Sequence, residues 1–301
     1  MYDITFLGHY TKDTIVSASA TRIVDGGAVF YGANVTARMG LKTAVVTRLS
    51  RDDFRVVQEV EKLGVRVFAK VTPKSTCLRL EYPSSNVDER VIRVASSAGP
   101  FTPKEVKHIQ TRAALIGGSM RGEISLEVME ELAQKTDRIA ADAQSFVRID
   151  REGTLVSADW PEKKAVLALL HVLKADAVEA ELLTGSTDIR AAAKILYDLG
   201  PREVVLTHRD GVLVYDGDQF HEADFFPREL VGRSGRGDTC IASYVASRLN
   251  VSPAEATIWA AAVTSLKMEA EGPFRRDIAE VERLIEEKYW PGTEAKFPID
   301  K

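Results

Sequence analysis

The spacing of apolar residues changes along the chain, and each spacing predicts a different element. After about residue 100, short apolar runs alternate with longer segments in which apolar residues recur every three or four positions. The short runs predict buried strands, and the longer segments predict amphipathic helices. The predicted strands cover residues 114–116, 138–141, 177–178 and 204–207, and the predicted helices cover residues 125–135, 161–173 and 188–199. This alternation predicts an α/β fold in which helices cover both faces of a mostly parallel sheet.

The first hundred residues follow a different pattern, with apolar and polar positions alternating. The alternation is weak over residues 15–24 and predicts further strands over residues 65–68, 76–82 and 90–94, with a polar turn at residues 83–86. We expect these strands to form a small β lid, contributed by about residues 10–25 and 65–98, that stands off the main sheet. A solvated hairpin is the alternative.

A glycine-rich stretch precedes a predicted helix late in the chain. Apolar residues recur at helical spacing from Cys240 onward, and Asn250 is a plausible end. Gly235 and Gly237 therefore lie near a helix N-terminus, where unpaired N–H groups and the helix dipole favour an anion such as phosphate. Asp238 would repel that anion, but it could take a proton from a hydroxyl that attacks phosphorus. The alternative is an ordinary helix-start aspartate.

Composition narrows the range of partners. The chain has 301 residues, 45% of them apolar and 28% charged, with a net charge of −4. A slightly acidic balance gives no reason to expect nucleic acid or an anionic membrane surface as a partner. No uncharged run approaches the length of a membrane span, the first residues lack the basic start of a signal peptide, and the two cysteines form no disulfide or zinc pattern. We expect a cytoplasmic protein.

The glycine-rich stretch resembles the C-terminal signature of the PfkB (ribokinase-like) carbohydrate kinases. That signature usually reads Asp-Thr-x-Gly-Ala-Gly-Asp, and both later glycines and the aspartate match here. The resemblance implies that Asp238 is the general base and that the backbone of Gly235, Arg236 and Gly237 stabilises the transferring group. This chain departs from the signature at Gly232, Arg233 and Arg236.

The resemblance extends to the N-terminal third. Gly26 and Gly27 open a predicted helix that closes at Gly40, as in the family's N-terminal signature. Asp13 matches the aspartate that holds substrate hydroxyls in the family. Tyr31 stands where the family often has an asparagine that binds sugar, which indicates a different polar partner or ring stacking. The implied substrate-binding residues are Asp13, Gly26, Gly27, Tyr31 and Arg233.

Two further motifs imply a nucleotide and a metal. Asp176 and Glu179 resemble the family's Asn-x-x-Glu, in which the glutamate could hold Mg²⁺ through water. A solvated acidic helix start is the alternative. Thr207 and Gly211 match two positions of the family's nucleotide loop, although the loop here is one residue shorter and lacks the middle glycine. The implied ATP-binding residues are Asp176, Thr207, Gly211 and Gly237.

We therefore expect a single ribokinase-like domain over residues 1–301 that transfers the γ-phosphate of ATP, with Mg²⁺, to a hydroxyl of a sugar, sugar acid or cyclitol. The family's use of its lid implies a possible homodimer. The alternatives are a nucleoside kinase of the same family and a non-catalytic nucleotide or sugar sensor, although a sensor would not need Asp238. Arg236 could contact phosphate, and Arg233 could favour an anionic acceptor, because arginine presents a fork suited to carboxylate or phosphate.

Overall fold

The computed structural model describes residues 1–17, 20–82 and 91–291. Within these ranges the strands are β1 (Tyr2–Leu7), β2 (Thr11–Val16), β3 (Thr21–Gly26), β4 (Thr43–Ser50), β5 (Arg66–Thr72), β6 (Thr76–Glu81), β7 (Val91–Ser96), β8 (Thr111–Ile116), β9 (Ile139–Asp142), β10 (Arg148–Arg151), β11 (Thr154–Ser157), β12 (Val172–Asp176), β13 (Glu203–Thr207), β14 (Gly211–Tyr215) and β15 (Phe220–Asp224). The helices are α1 (Ala28–Arg38), α2 (Arg55–Glu61), α3 (Pro103–Val106), α4 (Leu126–Ala133), α5 (Gln144–Val147), α6 (Lys163–Leu167), α7 (Ala177–Thr184), α8 (Ile189–Asp198), α9 (Arg236–Ser247), α10 (Pro253–Met268) and α11 (Ile278–Lys288), with a 3₁₀ turn at Arg51–Asp53.

The large sheet has nine strands in the described part of the chain, in the order β15-β14-β13-β12-β9-β8-β1-β4-β5. Every neighbouring pair from β13 to β5 is parallel, and the pairs β13–β14 and β14–β15 at one edge are antiparallel. The prediction of a mostly parallel sheet is confirmed.

Alternate residues of the central strands enter two separate cores. On β8, Ala113 and Leu115 pack in the core that contains α1, α9 and α10, whereas Ala114 and Ile116 pack in the core that contains α4, α7 and α8. Successive side chains of a strand point to opposite faces, so a strand that is apolar at every position must be covered on both. The predicted layer of helices on each face is confirmed.

The small sheet contains six strands among the described residues, in the order β10-β11-β7-β6-β2-β3. It includes β6 and β7, as the alternating pattern predicts, and the single strand predicted over residues 15–24 is instead the antiparallel pair β2 and β3. Residues 65–72 do not belong to it. That segment forms β5 at the edge of the large sheet, parallel to β4, because α2 returns the chain to the same sheet as a crossover connection. The hairpin of β10 and β11 completes the small sheet instead. The predicted turn at residues 83–86 lies outside the described residues.

The assignment of elements around residue 175 from sequence is also wrong. The predicted helix over residues 161–173 is only the short α6, and the strand predicted at residues 177–178 is instead β12, which ends at Asp176. Asp176 caps α7, because its carboxylate accepts the Glu179 N–H at 2.8 Å while its own N–H donates to Glu179 Oε2 at 2.9 Å. This reciprocal cap ends the strand and begins the helix at one residue. None of the helices in the described ranges is long and apolar enough to span a membrane.

Candidate active site

A cleft of about 1140 Å³ opens at the carboxyl edge of the large sheet. Four parallel strands bring residues to this edge: Gly117 after β8, Asp142 on β9, Asp176 on β12 and Thr207 on β13. Open α/β sheets bind ligands at this position because the strand ends and helix N-termini converge there. The small sheet supplies another wall, whose lining residues include Asp13, Ile15, Leu78, Leu80, Tyr82 and Ile92.

The cleft brings together most of the residues that the sequence singles out. Those that line it are Asp13, Gly27, Tyr31, Asp176, Thr207, Arg233, Gly235, Arg236, Gly237 and Asp238. Gly26, Glu179 and Gly211 are not part of the lining, and each has a local structural role described below.

The two glycines before α1 make room for the residues around Asp13. A Cβ built on Gly26 would lie 2.6 Å from Asp13 Oδ2, so only glycine leaves space for that carboxylate. Gly27 has a φ of 93°, in the region that favours glycine, and a Cβ there would lie 2.3 Å from the His9 carbonyl oxygen. Strand β3 and the start of α1 can therefore approach β2 closely while Asp13 faces the cleft.

Residues 231–238, here called the anion loop, lead into α9. Gly235 is the N-cap with a φ of 74°, and the helix begins at Arg236, earlier than the apolar spacing indicates. A Cβ on Gly235 would lie 2.3 Å from the Tyr31 ring, and a Cβ on Gly237 would lie 2.7 Å from Lys174 Nζ. The glycines therefore admit an aromatic ring and an ammonium group next to backbone N–H groups of the first helical turn, which have no intrahelical acceptor.

Lys174 is a site residue that the sequence reasoning missed. It lies on β12, its side chain is buried, and its Nζ donates to Asp142 Oδ2 at 2.9 Å. Burial lowers the pKa of Lys174, but the carboxylates of Asp142, Glu179 and Asp176 outweigh it, so the pKa lies above its ordinary value and the side chain remains charged. The signal in the sequence was a lone lysine within an apolar run, Val172-Leu173-Lys174-Ala175.

Asp238 occupies the first turn of α9 and is half-buried. Burial and the nearby Asp142 raise its pKa to about 6, while Lys174, Arg148 and Lys267 oppose that rise. A carboxylate whose pKa lies near neutrality is ionised at pH 7 and is basic enough to accept a proton.

The ends of β12 and β13 form one edge of the cleft, here called the donor edge for the role proposed below. Asp176 and Thr207 are paired in register, so the two residues lie side by side. His208 and Arg209 follow β13 and also line the cleft. Gly211 lies in the sheet instead, where a Cβ would meet the Ala223 carbonyl oxygen at 2.5 Å.

Glu179 lies behind this edge. Its Oε2 accepts the Asp176 N–H, and its Oε1 is 3.8 Å from Arg148 Nη2. Burial raises its pKa to about 7, with Lys174 opposing the rise. No group of three or more His, Cys, Asp or Glu in the described ranges could hold a metal ion. The arrangement offers a metal one or two carboxylates at a phosphate site and no cage made of protein ligands alone.

Cationic side chains surround the anion loop and the donor edge. The ones that line the cleft here are Arg148, Lys174, Arg209, Arg233 and Arg236. Together with the helix N-terminus, they give this half of the cleft a positive potential suited to a phosphate-bearing ligand. Asp238, a carboxylate basic enough to accept a proton, lies in the same half.

Comparison with known proteins agrees with this geometry. A sequence model of the pfkB family carbohydrate kinases matches residues 2–275. The chain is 36% identical to a pyrophosphate-dependent kinase of the ribokinase family, solved with a pyrophosphate analog and myo-inositol; the match covers 93% of this chain and 99% of that one, with a TM-score of 0.86.

Two more distant matches are a cytidine kinase and a plant ribokinase. The cytidine kinase of Thermococcus kodakarensis is 26% identical over 266 residues, which cover 85% of this chain and 91% of that protein. The ribokinase of Arabidopsis thaliana, solved with ribose and ATP, is 18% identical over 94% of this chain and 98% of its own, with a TM-score of 0.73, and shares the fold. The chain belongs to the pfkB family of carbohydrate kinases and is a phosphotransferase with a hydroxyl acceptor.

Proposed function

We propose that this kinase transfers a phosphoryl group from inorganic pyrophosphate to a hydroxyl of a neutral cyclitol or sugar. The observation that carries the proposal is the density of cations at the donor edge, where Arg148, Lys174, Arg209 and Arg236 line the cleft. Pyrophosphate has no base or ribose, so its affinity must come from charged and N–H contacts to its oxygens. The 36% identical relative is described as pyrophosphate-dependent. ATP, the donor that the sequence resemblance implies, is the competing assignment.

The acceptor half of the cleft fits a neutral polyol. Asp13 supplies a carboxylate that can accept hydrogen bonds from hydroxyls, and the small sheet supplies an apolar wall that includes Leu80 and Ile92. A cyclitol or sugar ring has both kinds of surface, hydroxyls at its rim and C–H groups on its faces. The acidic side chain of Asp13 disfavours an anionic acceptor, so we place a neutral polyol ahead of the sugar acid that Arg233 would favour.

The proposed chemistry uses residues of the anion loop. Asp238 accepts the proton of the attacking hydroxyl, and Lys174 and the first N–H groups of α9 stabilise the charge on the transferring phosphoryl group. Mg²⁺ would neutralise charge on the donor phosphates, and Asp176 and Glu179 fit an ion held mainly by phosphate oxygens and water. Tyr31 and Asp13 orient the acceptor.

A nucleoside acceptor is the second candidate, because the cytidine kinase relative covers most of the chain. Tyr31, the aromatic residue that could have stacked on a base, is only 4% exposed and packs against Gly235. Little of its ring remains for a base, which favours the polyol.

The test is a matrix of two donors and four acceptors with purified protein and Mg²⁺. Pyrophosphate and ATP are each combined with myo-inositol, ribose, gluconate and cytidine, and product is measured by phosphorus NMR. We expect the highest kcat/KM for pyrophosphate with myo-inositol or ribose. Activity confined to ATP, or to cytidine, would overturn the corresponding half of the proposal.

Arg209 provides a matched pair of variants for the donor assignment. Arg209 follows the carboxyl end of β13 and lines the cleft, whereas Arg202 is an exposed arginine just before the opposite end of the same strand. Arg209→Ala should raise the KM for pyrophosphate about tenfold through loss of a charged hydrogen bond, with Arg202→Ala unchanged. Equal KM values for pyrophosphate in the two variants would show that Arg209 does not bind the donor.

A further inference from the structure

A buried lysine lies behind the anion loop, outside the lining of the cleft. Lys267 is on the last turn of α10 and is 2% exposed. Its Nζ donates to the Gly232 carbonyl oxygen at 2.8 Å and lies 5.7 Å from the centre of the Tyr31 ring. A buried ammonium with one hydrogen bond is expensive to maintain, so its position calls for a reason other than packing.

The backbone of the loop is docked on the same helix end. The N–H groups of Val231 and Gly232 both donate to the Met268 carbonyl oxygen, at 2.9 and 3.0 Å. A Cβ on Gly232 would lie 2.1 Å from the Ala270 carbonyl oxygen, so only glycine allows this approach. The loop before α9 is therefore held by two N–H bonds to one carbonyl group of α10 and by Lys267. The C-terminal end of a helix is also where the dipole favours a cation.

Three titratable groups face Lys267 from the elements packed around it. They are Tyr31 on α1, Asp238 on α9 and Glu271 after α10. Glu271 also forms an ion pair with Arg22, whose Nη2 lies 2.9 Å from Glu271 Oε1. Burial lowers the pKa of Lys267 to about 8, while Glu271 and Asp238 oppose that effect. Lys267 also favours the ionised form of Asp238. The ammonium is thus charged at neutral pH and loses its charge a little above it.

We propose that Lys267 is a positioning residue for phosphoryl transfer. Its ammonium holds the anion loop in place at the N-terminus of α9 and keeps a fixed positive charge behind the loop. The inference rests on the proposed function of that loop. When Lys267 is neutral, its amine can still donate to the Gly232 carbonyl oxygen, but the loop loses the charge that helps it bind a phosphoryl group and keep Asp238 ionised. Activity should then depend on two ionisations, with Asp238 deprotonated and Lys267 protonated.

The test compares pH profiles of kcat and KM from pH 5 to 10 in four proteins. Wild type should give a bell-shaped profile with limbs near 6 and 8. Lys267→Met should lower kcat at pH 7 by about 10- to 100-fold, the effect of losing a hydrogen bond from a charged group, and should lack the alkaline limb. Lys267→Arg should keep a charge that does not titrate in this range, so the alkaline limb should move up or disappear. Ser265→Ala removes a buried hydroxyl of the same helix that bonds to Ala261 O and Phe226 N, and it should keep the wild-type limbs.

A binding measurement separates this inference from the proposed chemistry. Calorimetry of pyrophosphate binding, without any acceptor, should show that the affinity of wild type falls relative to that of Lys267→Met between pH 7 and 9, a comparison in which the ionisation of pyrophosphate itself cancels. If wild type phosphorylates no acceptor yet shows this pH-dependent binding, the proposed reaction fails and the role of Lys267 stands. If Lys267→Met keeps the wild-type kcat and alkaline limb, or binds pyrophosphate with the same pH dependence as wild type, the role of Lys267 is overturned.

Discussion

At Asp238, the burial that makes the carboxylate basic also weakens the fold. Its pKa of about 6 lies above the ordinary value of 3.8, so the folded state prefers the protonated form. The resulting stabilisation of the fold is fully present below pH 4 and is lost as the pH rises through 6. At pH 7 the ionised side chain costs roughly 3 kcal/mol relative to an unburied aspartate.

Asp238→Asn should therefore separate activity from stability. We expect kcat to fall by about 10²- to 10⁴-fold through loss of the general base, with donor affinity retained. The melting temperature at pH 7 should rise, because the amide carries no buried charge. Steady-state kinetics and thermal unfolding at pH 5 and pH 7 measure both effects. An unchanged kcat would show that Asp238 is not the general base. A lower melting temperature of the variant at pH 7 would show that the carboxylate stabilises the fold.

At the scale of elements, α9 is anchored at both ends. Its N-terminus carries the anion loop, and near its other end Arg248 and Tyr244 hold the buried carboxylate of Glu203 at the start of β13, with Arg248 Nη2 at 2.7 Å and the Tyr244 hydroxyl at 2.7 Å. Arg112 and Arg138 donate to carbonyl groups just after the helix, those of Leu249 and Arg248. Cations at a helix C-terminus are favourable because of the dipole.

The Glu203 cluster should make the fold acid-sensitive. Burial raises the pKa of Glu203, but hydrogen bonds from His171, Arg248 and Tyr244 outweigh it and lower the pKa to about 2, against an ordinary value of 4.5. The stabilisation is fully present above pH 4.5 and is lost as the pH falls toward 2. Glu203→Gln should be less stable at pH 7 by about 3 kcal/mol, because it leaves Arg248 with no buried charge partner in this cluster.

Thermal unfolding of wild type and Glu203→Gln between pH 2 and 7 tests this. The gap between the two melting temperatures should shrink below pH 4.5, and folded Glu203→Gln should keep the wild-type KM, since Glu203 lies at the end of β13 opposite the cleft. A gap that stays constant down to pH 2 would show that the carboxylate charge is not what stabilises α9.

At the scale of the whole molecule, the cleft belongs to neither sheet alone. The large sheet supplies the polar donor edge, and the small sheet supplies the apolar wall opposite. His9 joins the two parts: it follows β1, its Nδ1 lies 2.7 Å from Thr76 Oγ1 on β6, and the same atom lies 3.1 Å from Glu123 Oε1 after β8. The proposed acceptor site therefore depends on how the small sheet is held over the large one.

Two neighbouring residues of β7 test the acceptor wall. Ile92 lines the cleft. Val91, the residue before it in β7, is not part of the lining and faces the other side of the sheet. Ile92→Ala should raise the KM for the acceptor about fivefold, roughly 1 kcal/mol of lost apolar contact, with the KM for the donor unchanged. Val91→Ala should change neither KM. If Ile92→Ala raised the KM values for donor and acceptor equally, the small sheet would not be a specific part of the acceptor site. Deletion of the tip at residues 84–88 would test the same lid, but that tip lies outside the described residues.

The sequence by itself determined the features that depend on a continuous stretch of chain. The alternating strands and helices, the glycines before α1 and α9, and the aspartate in the first turn of α9 are local, because periodicity and φ are set by neighbours in sequence. Asp238 was found in this way, whereas Asp13 was found only through the family resemblance, and the structure places both in one cleft.

Only the tertiary structure decided which distant residues meet. Strand β5 joins the large sheet although its pattern matches that of the small sheet, because alternation shows that a strand has two faces but not which neighbour it pairs with. Lys174 reaches Asp142 across 32 residues, and Lys267 reaches Gly232 across 35. The spacing of Asp176 and Glu179 is that of a reciprocal helix cap, but the position of Glu179 behind the cleft depends on how β12 and α7 pack. The charges that tune Asp238 come from separate elements, so their combined effect exists only when the sheets and helices have packed.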